Sequence, residues 1–404
     1  MKIRSTTDED FDVFLETLHA AFARFRETPV EGSGFWWSAL EMDRGLLAET
    51  ADGRPVGTAT AHSFELTLPG GTVTPASGVT AVGVVPTHRR QGVLTAMMRH
   101  QLAQVRARGE FLSVLLSSEA VIYRRFGYGP ATYTGRLTVP RHRATFAVPR
   151  AQAPAGTPGS IELLRRAECG ELLEEVYDRY RRAQPGALSR PHHWWVAGAG
   201  QPPISLDQRY IAVHRDADGG ADGYAAYSLS EPTTLTVDEI ITSDDAVFTA
   251  LVRFLLDHDL VTRVVVKHVP PGHPLRWQFA DFRAGEETDD GDWLWVRLLD
   301  IPRALTSRGW STDGELVLDV TDPFLAEHGR YLLTARDGEA TCVPTDREPD
   351  LSLDVSDLGS IYLGGTTPSM LIRAGHIRAH TPSAATLADN LFRGEHPPHC
   401  LHWF

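Results

Sequence analysis

The order of the predicted secondary-structure elements repeats along this 404-residue chain. Residues 1–147 predict a helix, two strands joined at Asp52-Gly53, a buried strand, a second helix and another strand. The same order returns in residues 160–300, which indicates an internal duplication of one α/β unit. Residues 148–160 are rich in proline, alanine and glycine, and this composition is typical of a linker between the two copies.

The pattern changes from residue 301 onward. Segments such as GELVLDVTD and GRYLLTAR alternate apolar and polar residues like antiparallel strands, and helical segments follow them. Residues 301–404 therefore predict a third domain of the α+β class, which ends in the tail GEHPPHCLHWF. The whole chain is predicted to be an α/β (α+β) protein with three domains.

Two helices of the first copy carry clear local signals. Thr6 and Glu9 form a capping-box pattern ahead of the N-terminal helix. The second helix follows Gly92, and Gly109 is its candidate C-cap. The apolar stripe of this second helix is formed by Leu94, Met98, Leu102 and Val105.

Charge and composition argue against several classes of function. The formal net charge of −13 is the opposite of what a nucleic-acid binder usually shows, and it disfavours anionic membrane surfaces. The cysteines Cys169, Cys342 and Cys400 lie far apart and offer no disulfide framework, which suits a reducing compartment. The N-terminus has no apolar signal core, and no apolar run approaches the ~20 residues of a membrane-spanning helix. These features predict a cytoplasmic protein.

The segment VVPTHRRQGVL, residues 84–94, joins the buried strand to the second helix. A helix N-terminus exposes unpaired N–H groups and attracts phosphate, Arg89 and Arg90 add positive charge, and Gly92 lets a ligand approach the backbone. The segment lacks the Walker lysine and the GxGxxG pattern, so neither a P-loop nor a dinucleotide-binding site is expected. From spacing alone, a pyrophosphate cradle and a solvated arginine loop explain these residues equally well.

The junction resembles the acetyl-CoA-binding segment of the GNAT N-acetyltransferases, whose signature is [QR]-x-x-G-x-[GA]. Arg89 and Gly92 take its first two fixed positions, whereas Leu94 departs from the third. Together with SSEAVIYRRFGYGPAT, the degenerate second copy and LGSIYLGG, the segment is similar to the Eis (enhanced intracellular survival) branch of that family over nearly the whole chain. The resemblance implies tandem GNAT folds, a sterol-carrier-protein-like third domain, a homohexamer and acetyl-CoA as the acyl donor.

The resemblance also implies roles for individual residues. Tyr128 would be the general acid that protonates the leaving thiolate, and the C-terminal carboxylate of Phe404 would enter the active site as the base or amine-orienting group. Without the resemblance, Tyr128 simply packs in a Gly-Pro turn and Phe404 is a frayed terminus. Candidate residues for binding the pantetheine arm and pyrophosphate of acetyl-CoA are Val82, Val84, Arg89, Arg90, Gly92, Val93 and Ser118.

The acceptor is expected to be a small-molecule or peptide amine, such as an aminoglycoside or a lysine. Relatives that acetylate aminoglycosides carry acidic residues at positions taken here to be Arg24 and His402, so a narrower or different amine substrate is expected. Trp36 and Trp37 are candidate walls of the acceptor pocket. The donors His396, His399, Cys400 and His402 follow no common metal-site spacing, and no metal is expected.

An acetyl-CoA-dependent amine N-acetyltransferase is the leading hypothesis from the sequence. The alternative is a non-catalytic CoA- or lipid-binding scaffold that uses the third domain. A metal hydrolase built on the histidine- and cysteine-containing tail is a third and weaker option.

Overall fold

The computed structural model describes residues 1–23, 39–147, 159–196 and 209–404. The strands within these ranges are, in chain order, β1 (Lys2–Ser5), β2 (Leu46–Glu49), β3 (Pro55–Thr67), β4 (Val73–Val84), β5 (Leu112–Leu116), β6 (Gly129–Pro130), β7 (Tyr133–Pro140), β8 (Ser160–Arg165), β9 (Tyr210–Arg215), β10 (Ala221–Glu231), β11 (Thr234–Ile241), β12 (Arg263–Val269), β13 (Glu286–Asp292), β14 (Leu294–Leu298), β15 (Gly314–Asp322), β16 (Glu327–Arg336), β17 (Glu339–Pro344), β18 (Leu351–Asp354) and β19 (Arg378–Ala379).

The α-helices of the same ranges are α1 (Phe11–Ala21), α2 (Val93–Ala107), α3 (Ala120–Tyr123), α4 (Leu172–Ala183), α5 (His192–Val196), α6 (Asp245–Leu256), α7 (Leu275–Gln278), α8 (Ile301–Ser307), α9 (Val355–Tyr362), α10 (Pro368–Arg373) and α11 (Pro382–Phe392). None of these described helices combines the length and the apolar composition that crossing a bilayer would require.

The first sheet has the strand order β1-β2-β3-β4-β5-β14-β6. Its neighbours run antiparallel except β4 and β5, which run parallel and are connected through α2, because parallel strands need a crossover. The predicted stripe of α2 is confirmed, since Met98, Leu102 and Val105 are buried and Leu94 packs against the same cluster. Gly109 follows the helix with a φ of 75°, as a glycine C-cap does.

The second sheet repeats this layout in the order β13-β7-β12-β11-β10-β9-β8. Again one pair, β11 and β12, runs parallel, and α6 forms the crossover between them. The sheet and α6 share a core of apolar side chains that includes Leu235, Val237, Leu251 and Val264. The repeated element order therefore reflects two similar sheets, as the sequence indicates.

Two strands pair in the sheet of the other copy rather than in the sheet of the copy in which they lie in sequence. β7 follows the first copy in sequence, but it pairs with β12 and β13 in the second sheet. β14 comes from the end of the second copy, but it lies between β5 and β6 in the first sheet. Local periodicity predicts that a segment is a strand, whereas pairing partners depend on non-local contacts that periodicity does not report.

The described residues form two compact units. Unit 1 comprises residues 1–132, 293–398 and 404, and unit 2 comprises residues 133–292 and 399–403. Unit 1 includes the third sheet, of order β17-β16-β15-β18-β19, with α9 packed against β14. Gly359 of α9 approaches the carbonyl of Val296 so closely that a Cβ would not fit. The predicted linker falls largely on residues 148–158, which lie outside the described residues.

The N-terminal capping box lies one residue later than the pattern predicts. The carboxylate of Asp10 accepts a hydrogen bond from the backbone N–H of Thr7 at 2.9 Å, so the box is formed by Thr7 and Asp10. Thr6 instead donates its hydroxyl to the carbonyl of Met42 at 2.5 Å. Thr6 is buried, and this contact with the chain ahead of β2 explains why the next threonine takes the capping position.

Candidate active site

Strands β4 and β5 pair only over a short stretch and then separate. Their register runs from Ser77–Ser113 to Val79–Leu115, whereas β4 stays paired with β3 as far as Val84. Ala81 has a φ of 50°, and the β3–β4 register shifts opposite it, which marks a β-bulge. The bulge bends β4 here, and Val82 and Val84 lie in the part of the strand that extends beyond its pairing with β5.

The junction between β4 and α2, residues 84–94, follows this part of the strand. Gly92 is the N-cap of α2 and has a φ of 83°, and a Cβ at this position would meet no atom within 4 Å. Arg90 is exposed, with a φ of 61°, and Val93 is buried in the first turn of the helix. Open space and left-handed backbone at a helix N-terminus leave its N–H groups accessible to an anion.

Arg89 makes structural contacts with two backbone carbonyls. Its Nε donates to the carbonyl of Val84 at 3.1 Å, and a terminal nitrogen donates to the carbonyl of Ala21 at 2.6 Å. The guanidinium therefore joins the end of β4 to the last turn of α1. Ser118, the remaining predicted cofactor residue, is exposed in the loop that follows β5.

The corresponding helix of unit 2 has a different N-terminus. Asp244 caps α6, and its carboxylate accepts hydrogen bonds from the N–H groups of Ala246 and Val247 at 2.6 and 3.1 Å. A bound phosphate would need these same donors and would be repelled by the carboxylate. The arrangement in unit 1 is thus suited to an anion, and the arrangement in unit 2 is not.

Tyr128 precedes β6 and is fully buried. Its hydroxyl lies 2.7 Å from the Oγ of Ser113, and its ring meets that of Tyr123 edge-on at 6.2 Å. Burial raises the pKa of the Tyr128 phenol well above its usual value near 10, so the hydroxyl is protonated at neutral pH. Gly127, with a φ of 84°, makes the preceding turn and allows Arg297 of β14 to approach closely.

Phe404, the last residue, is buried in unit 1 rather than frayed. Its ring packs edge-on against Phe64 of β3, with centroids 4.9 Å apart, and lies 6.5 Å from the ring of His62. It also covers Gly78 of β4, where an added Cβ would lie 3.2 Å from Phe404 Cε2. The absence of a side chain at Gly78 leaves space that the ring of Phe64 occupies, with the terminal ring of Phe404 next to it.

Tyr128 and Phe404 approach β4 and β5 from opposite faces. Ser77 and Ser113 are register partners, so their side chains share one face, and Tyr128 contacts Ser113 there. Gly78 is the next residue of β4, so its Cα hydrogens face the other side, where Phe404 lies. The two predicted catalytic residues therefore flank one point of the sheet, immediately before β4 and β5 separate.

His62 is a candidate that the sequence analysis missed. It lies opposite Gly78 in the β3–β4 register, is 1% exposed, and shares the face occupied by Phe404. Its Nδ1 is 3.9 Å from the Oε1 of Glu41, a carboxylate that also accepts hydrogen bonds from the N–H and hydroxyl of Ser63. An imidazole beside a fixed carboxylate is a common proton-transfer arrangement.

The tail residues 399–403 are held in unit 2. The N–H of His399 donates to the carbonyl of Pro185 at 2.8 Å, and Arg190 Nε donates to His402 Nδ1 at 3.1 Å. The ring of His402 is fully buried and meets Trp194 edge-on at 4.9 Å. These contacts anchor His402, one of the predicted substrate residues, within unit 2.

A buried ion pair supports this anchor. Arg190 donates to both carboxylate oxygens of Glu239, at 3.3 and 2.9 Å, and its guanidinium lies 4.1 Å from the ring of Tyr177. Tyr224 donates a further hydrogen bond to Glu239 at 2.8 Å. The paired geometry and the added donor offset the desolvation of both charges.

Three histidines of unit 2, here called the histidine group, are kept neutral by burial. Burial lowers the pKa of His268 and of His273 to about 4, and that of His399 to about 3. Within the described ranges, no set of three or more histidine, cysteine or acidic side chains converges as a metal site would. The predicted substrate residues Arg24, Trp36 and Trp37 lie outside the described residues.

Comparisons with known protein families match three successive segments of the chain. The acetyltransferase (GNAT) domain family matches residues 2–131 and again residues 186–298, and the sterol carrier protein domain family matches residues 301–401. The predicted fold class, tandem GNAT folds followed by a sterol-carrier-protein-like domain, is confirmed.

Full-length relatives show the same similarity. The chain is 36% identical over 360 residues to an N-acetyltransferase of Streptomyces griseus, covering 86% of each chain. It is 32% identical over 407 residues to the N-acetyltransferase Eis of Mycobacterium tuberculosis, covering 97% of each. The crystal structure of Eis1 from Mycobacterium abscessus superposes with a TM-score of 0.85 at 32% identity, covering 100% of both chains.

Proposed function

The chain belongs to the Eis family of GNAT N-acetyltransferases and is an N-acetyltransferase, and we propose that it transfers the acetyl group of acetyl-CoA to a primary amine. Tyr128 is the proposed general acid, and the terminal carboxylate of Phe404 is the group that orients the amine or accepts its proton. The observation that carries the proposal is the burial of Phe404 at Gly78, across the sheet from the face where Tyr128 lies.

The separation of β4 and β5 supports binding of the donor. Val82 and Val84 lie where β4 extends beyond its pairing with β5, and this edge is the proposed place for the amide groups of a pantetheine arm to pair as an added strand would. The exposed Arg90 and the open N-terminus of α2 at Gly92 provide the positive charge and N–H donors that a pyrophosphate needs. Val93 is buried and fixes the first turn of the helix.

The reaction is a direct displacement at the acetyl carbon. The amine nitrogen attacks that carbon, a C–N bond forms and the C–S bond breaks. The leaving thiolate takes the proton of the Tyr128 phenol, which burial keeps protonated at neutral pH. The nitrogen releases one proton to the carboxylate of Phe404 or, through it, to water, and water reprotonates the Tyr128 phenolate. An α-carboxylate, with a pKa near 3.5, is a weak base, so the carboxylate of Phe404 serves mainly to hold the amine by charge and hydrogen bonding.

The acceptor is proposed to be a cationic small-molecule or peptide amine. The formal net charge of −13 and the terminal carboxylate both favour a cation. Arg24 takes a position at which aminoglycoside-acetylating relatives are expected to carry an acidic residue. The test panel therefore includes lysine side chains as well as aminoglycosides.

The test is acetyl-CoA turnover on this amine panel by wild type, by Tyr128→Phe, and by a chain extended by two alanines beyond Phe404. Tyr128→Phe should lower kcat by about 10²–10⁴-fold, the range for a lost general acid. Tyr123→Phe is the matched control, because it removes a second buried phenol from the same cluster and should leave kcat nearly unchanged. The extension should also abolish most activity, because it converts the carboxylate of Phe404 into an amide. Wild-type rates in Tyr128→Phe and in the extended chain would refute the mechanism.

The scaffold alternative receives less support from the third domain. A cavity of about 390 Å³ lies beside β15 and β16, and its walls include the charged side chains of Arg106, Asp300, Asp322 and Glu327. Such a lining suits a polar ligand better than a lipid chain. Tight binding of acetyl-CoA in calorimetry without turnover on any amine would nevertheless favour the scaffold function.

A homohexamer in the cytoplasm is also proposed. The assembly is carried over from the resemblance to the Eis family, and the location is supported by three buried cysteines, all of them free thiols. Light scattering of the purified protein should give six times the 44.5 kDa mass of one chain, and a monomer mass would refute the assembly.

A further inference from the structure

The turn that carries Tyr128, residues 124–129 and here called the Tyr128 turn, contacts the third domain on both sides of this tyrosine. Ahead of it, the ring of Phe126 packs edge-on against Phe324, with centroids 5.0 Å apart. After it, Gly129 lies so close to α9 that a Cβ there would overlap a backbone carbonyl of that helix. β6 is only two residues long, so its pairing with β14 fixes little of the turn by itself. The contacts with the third domain therefore help to set the position of the turn.

Arg124, the first residue of the Tyr128 turn, is bound by a carboxylate of the third domain. Its guanidinium donates a hydrogen bond to Asp357 of α9, whose side chain is 2% exposed. The same nitrogen lies 2.7 Å from Nδ1 of His376. The N–H of Gly127 donates to the carbonyl of Arg124 at 2.9 Å, so the turn closes on the residue that Asp357 holds.

Arg297 of β14 contacts the same turn at Gly127. A Cβ on Gly127 would lie 2.6 Å from Arg297 Nε, so the guanidinium lies against the backbone that immediately precedes Tyr128. Arg297 is fully buried and pairs with Asp322 at the end of β15. The second carboxylate oxygen of Asp322 accepts a hydrogen bond from the N–H of Leu325 at 3.1 Å, which fixes the carboxylate within the third domain.

We propose that the third domain positions Tyr128 for proton transfer, with the carboxylates of Asp322 and Asp357 as the positioning groups. The inference rests on the general-acid role proposed above and assigns the third domain a part in the same reaction. Each carboxylate acts through the arginine that it binds and not on the reacting atoms. Proton transfer to the departing thiolate depends on where the phenol lies, and a misplacement of about 1 Å costs about 10²-fold in rate.

Ion pairs suit this task because they fix the guanidinium in both distance and direction. An arginine binds a carboxylate through directed N–H groups in a planar fork. Arg297 is buried, so loss of its counter-charge would leave an uncompensated charge that draws the guanidinium toward water. The side chain of Arg124 is 36% exposed, so without Asp357 the guanidinium can be hydrated in another place. In either case the Tyr128 turn loses one of its fixed contacts.

The test is a double-mutant cycle on kcat for amine acetylation. Asp357→Asn and Asp322→Asn are each made alone and together with Tyr128→Phe. Each single variant should lower kcat about 10–10²-fold. The calorimetric Kd for acetyl-CoA should stay unchanged, because neither contact involves the junction at Gly92. With Tyr128→Phe already present, neither aspartate substitution should lower kcat further, since the group that it positions is gone.

Asp319→Asn provides the matched control. Asp319 also lies on β15, and it pairs with His328 and Arg330 of the third domain. Its substitution therefore removes third-domain ion pairs other than those that reach the Tyr128 turn, and kcat should stay at the wild-type value. An equal loss of kcat in Asp319→Asn would show a general effect of third-domain charges and would overturn the inference.

The outcomes separate this inference from the proposed function. If wild type acetylates no amine of the panel, or if Tyr128→Phe keeps wild-type kcat, both are overturned. If Tyr128→Phe is slow but both aspartate variants keep wild-type kcat, only the positioning role is overturned. The same holds if their losses multiply with that of Tyr128→Phe, because a general loss of structure acts independently of the acid. Asp322→Asn is the variant most at risk of not folding, which a thermal melt reports, and Asp357→Asn then decides the result.

Discussion

The substitution Gly78→Ala should disable the enzyme by moving its last residue. Gly78 lies within β4 and has ordinary extended backbone, so alanine itself introduces no backbone strain there. The added Cβ would lie 2.5 Å from Phe64 Cε2 and 3.2 Å from Phe404 Cε2. Because carbon atoms in contact stay about 3.5 Å apart, the Phe64 ring must move by about 1 Å.

The size of the effect follows from the contact between the two rings. Phe64 and Phe404 pack edge-on with centroids 4.9 Å apart, so displacement of one ring displaces the other. A 1 Å misplacement of a reacting or orienting group costs about 10²-fold in rate, and overpacking costs about 1–3 kcal/mol of stability. We expect kcat/KM to fall about 10²-fold. The Kd for acetyl-CoA should change little, because the junction at Gly92 is not affected.

Steady-state kinetics, calorimetry and thermal unfolding measure these three quantities. The double variant Gly78→Ala/Phe64→Leu provides the control, because the smaller side chain makes room for the new methyl group. It should recover part of the lost rate. A single variant with wild-type kcat/KM and an unchanged melting temperature would show that the ring of Phe404 does not depend on the space at Gly78, and the reasoning would fail.

Three further outcomes are expected. Glu239→Gln should lower the free energy of unfolding by about 3–5 kcal/mol, because it leaves Arg190 buried without its counter-charge, and a urea melt of wild-type stability would contradict this. Acidification from about pH 6.5 to 4 should lower the stability of unit 2. The pKa values of the histidine group are lowered to about 4 or below in the folded unit, so over this range the histidines bind protons in the unfolded chain and not in the folded one. The slope should approach about 1.4 kcal/mol per pH unit for each histidine, and melting temperatures that stay constant over this range would argue against it. Gly92→Ala should weaken acetyl-CoA binding about tenfold in calorimetry, because holding alanine at a φ of 83° costs about 1–2 kcal/mol. An unchanged Kd would exclude the junction as the binding site.

The sequence predicts well where the signals are local. The bounds of α2 follow from an apolar stripe between Gly92 and Gly109, and the chain around these glycines adopts the conformations that glycine favours. The capping box differs by one residue because Thr6 and Thr7 carry the same side chain. Only a contact with the distant Met42 decides between them.

Features that depend on contacts between residues far apart in the chain could not be predicted from the sequence. The run Leu294–Leu298 is mostly apolar, yet nothing within it specifies that it forms a strand paired with β5. His62 is a single imidazole among small and apolar residues of a strand, and its partner Glu41 precedes β2. The tail shows the same limit, since the order of its histidines does not reveal that His402 contacts Arg190.

The placement of β14 has a consequence for how the enzyme is made. β6, which directly follows Tyr128, is hydrogen-bonded to β14, whose residues are translated more than 160 positions later. At ~5–20 residues per second, a nascent chain waits roughly 10–30 s on the ribosome before its first sheet can close. During that time the edge of β5 is a target for aggregation or for a chaperone. An isolated N-terminal half, however well it matches the acetyltransferase family, should not be expected to fold as a free-standing enzyme.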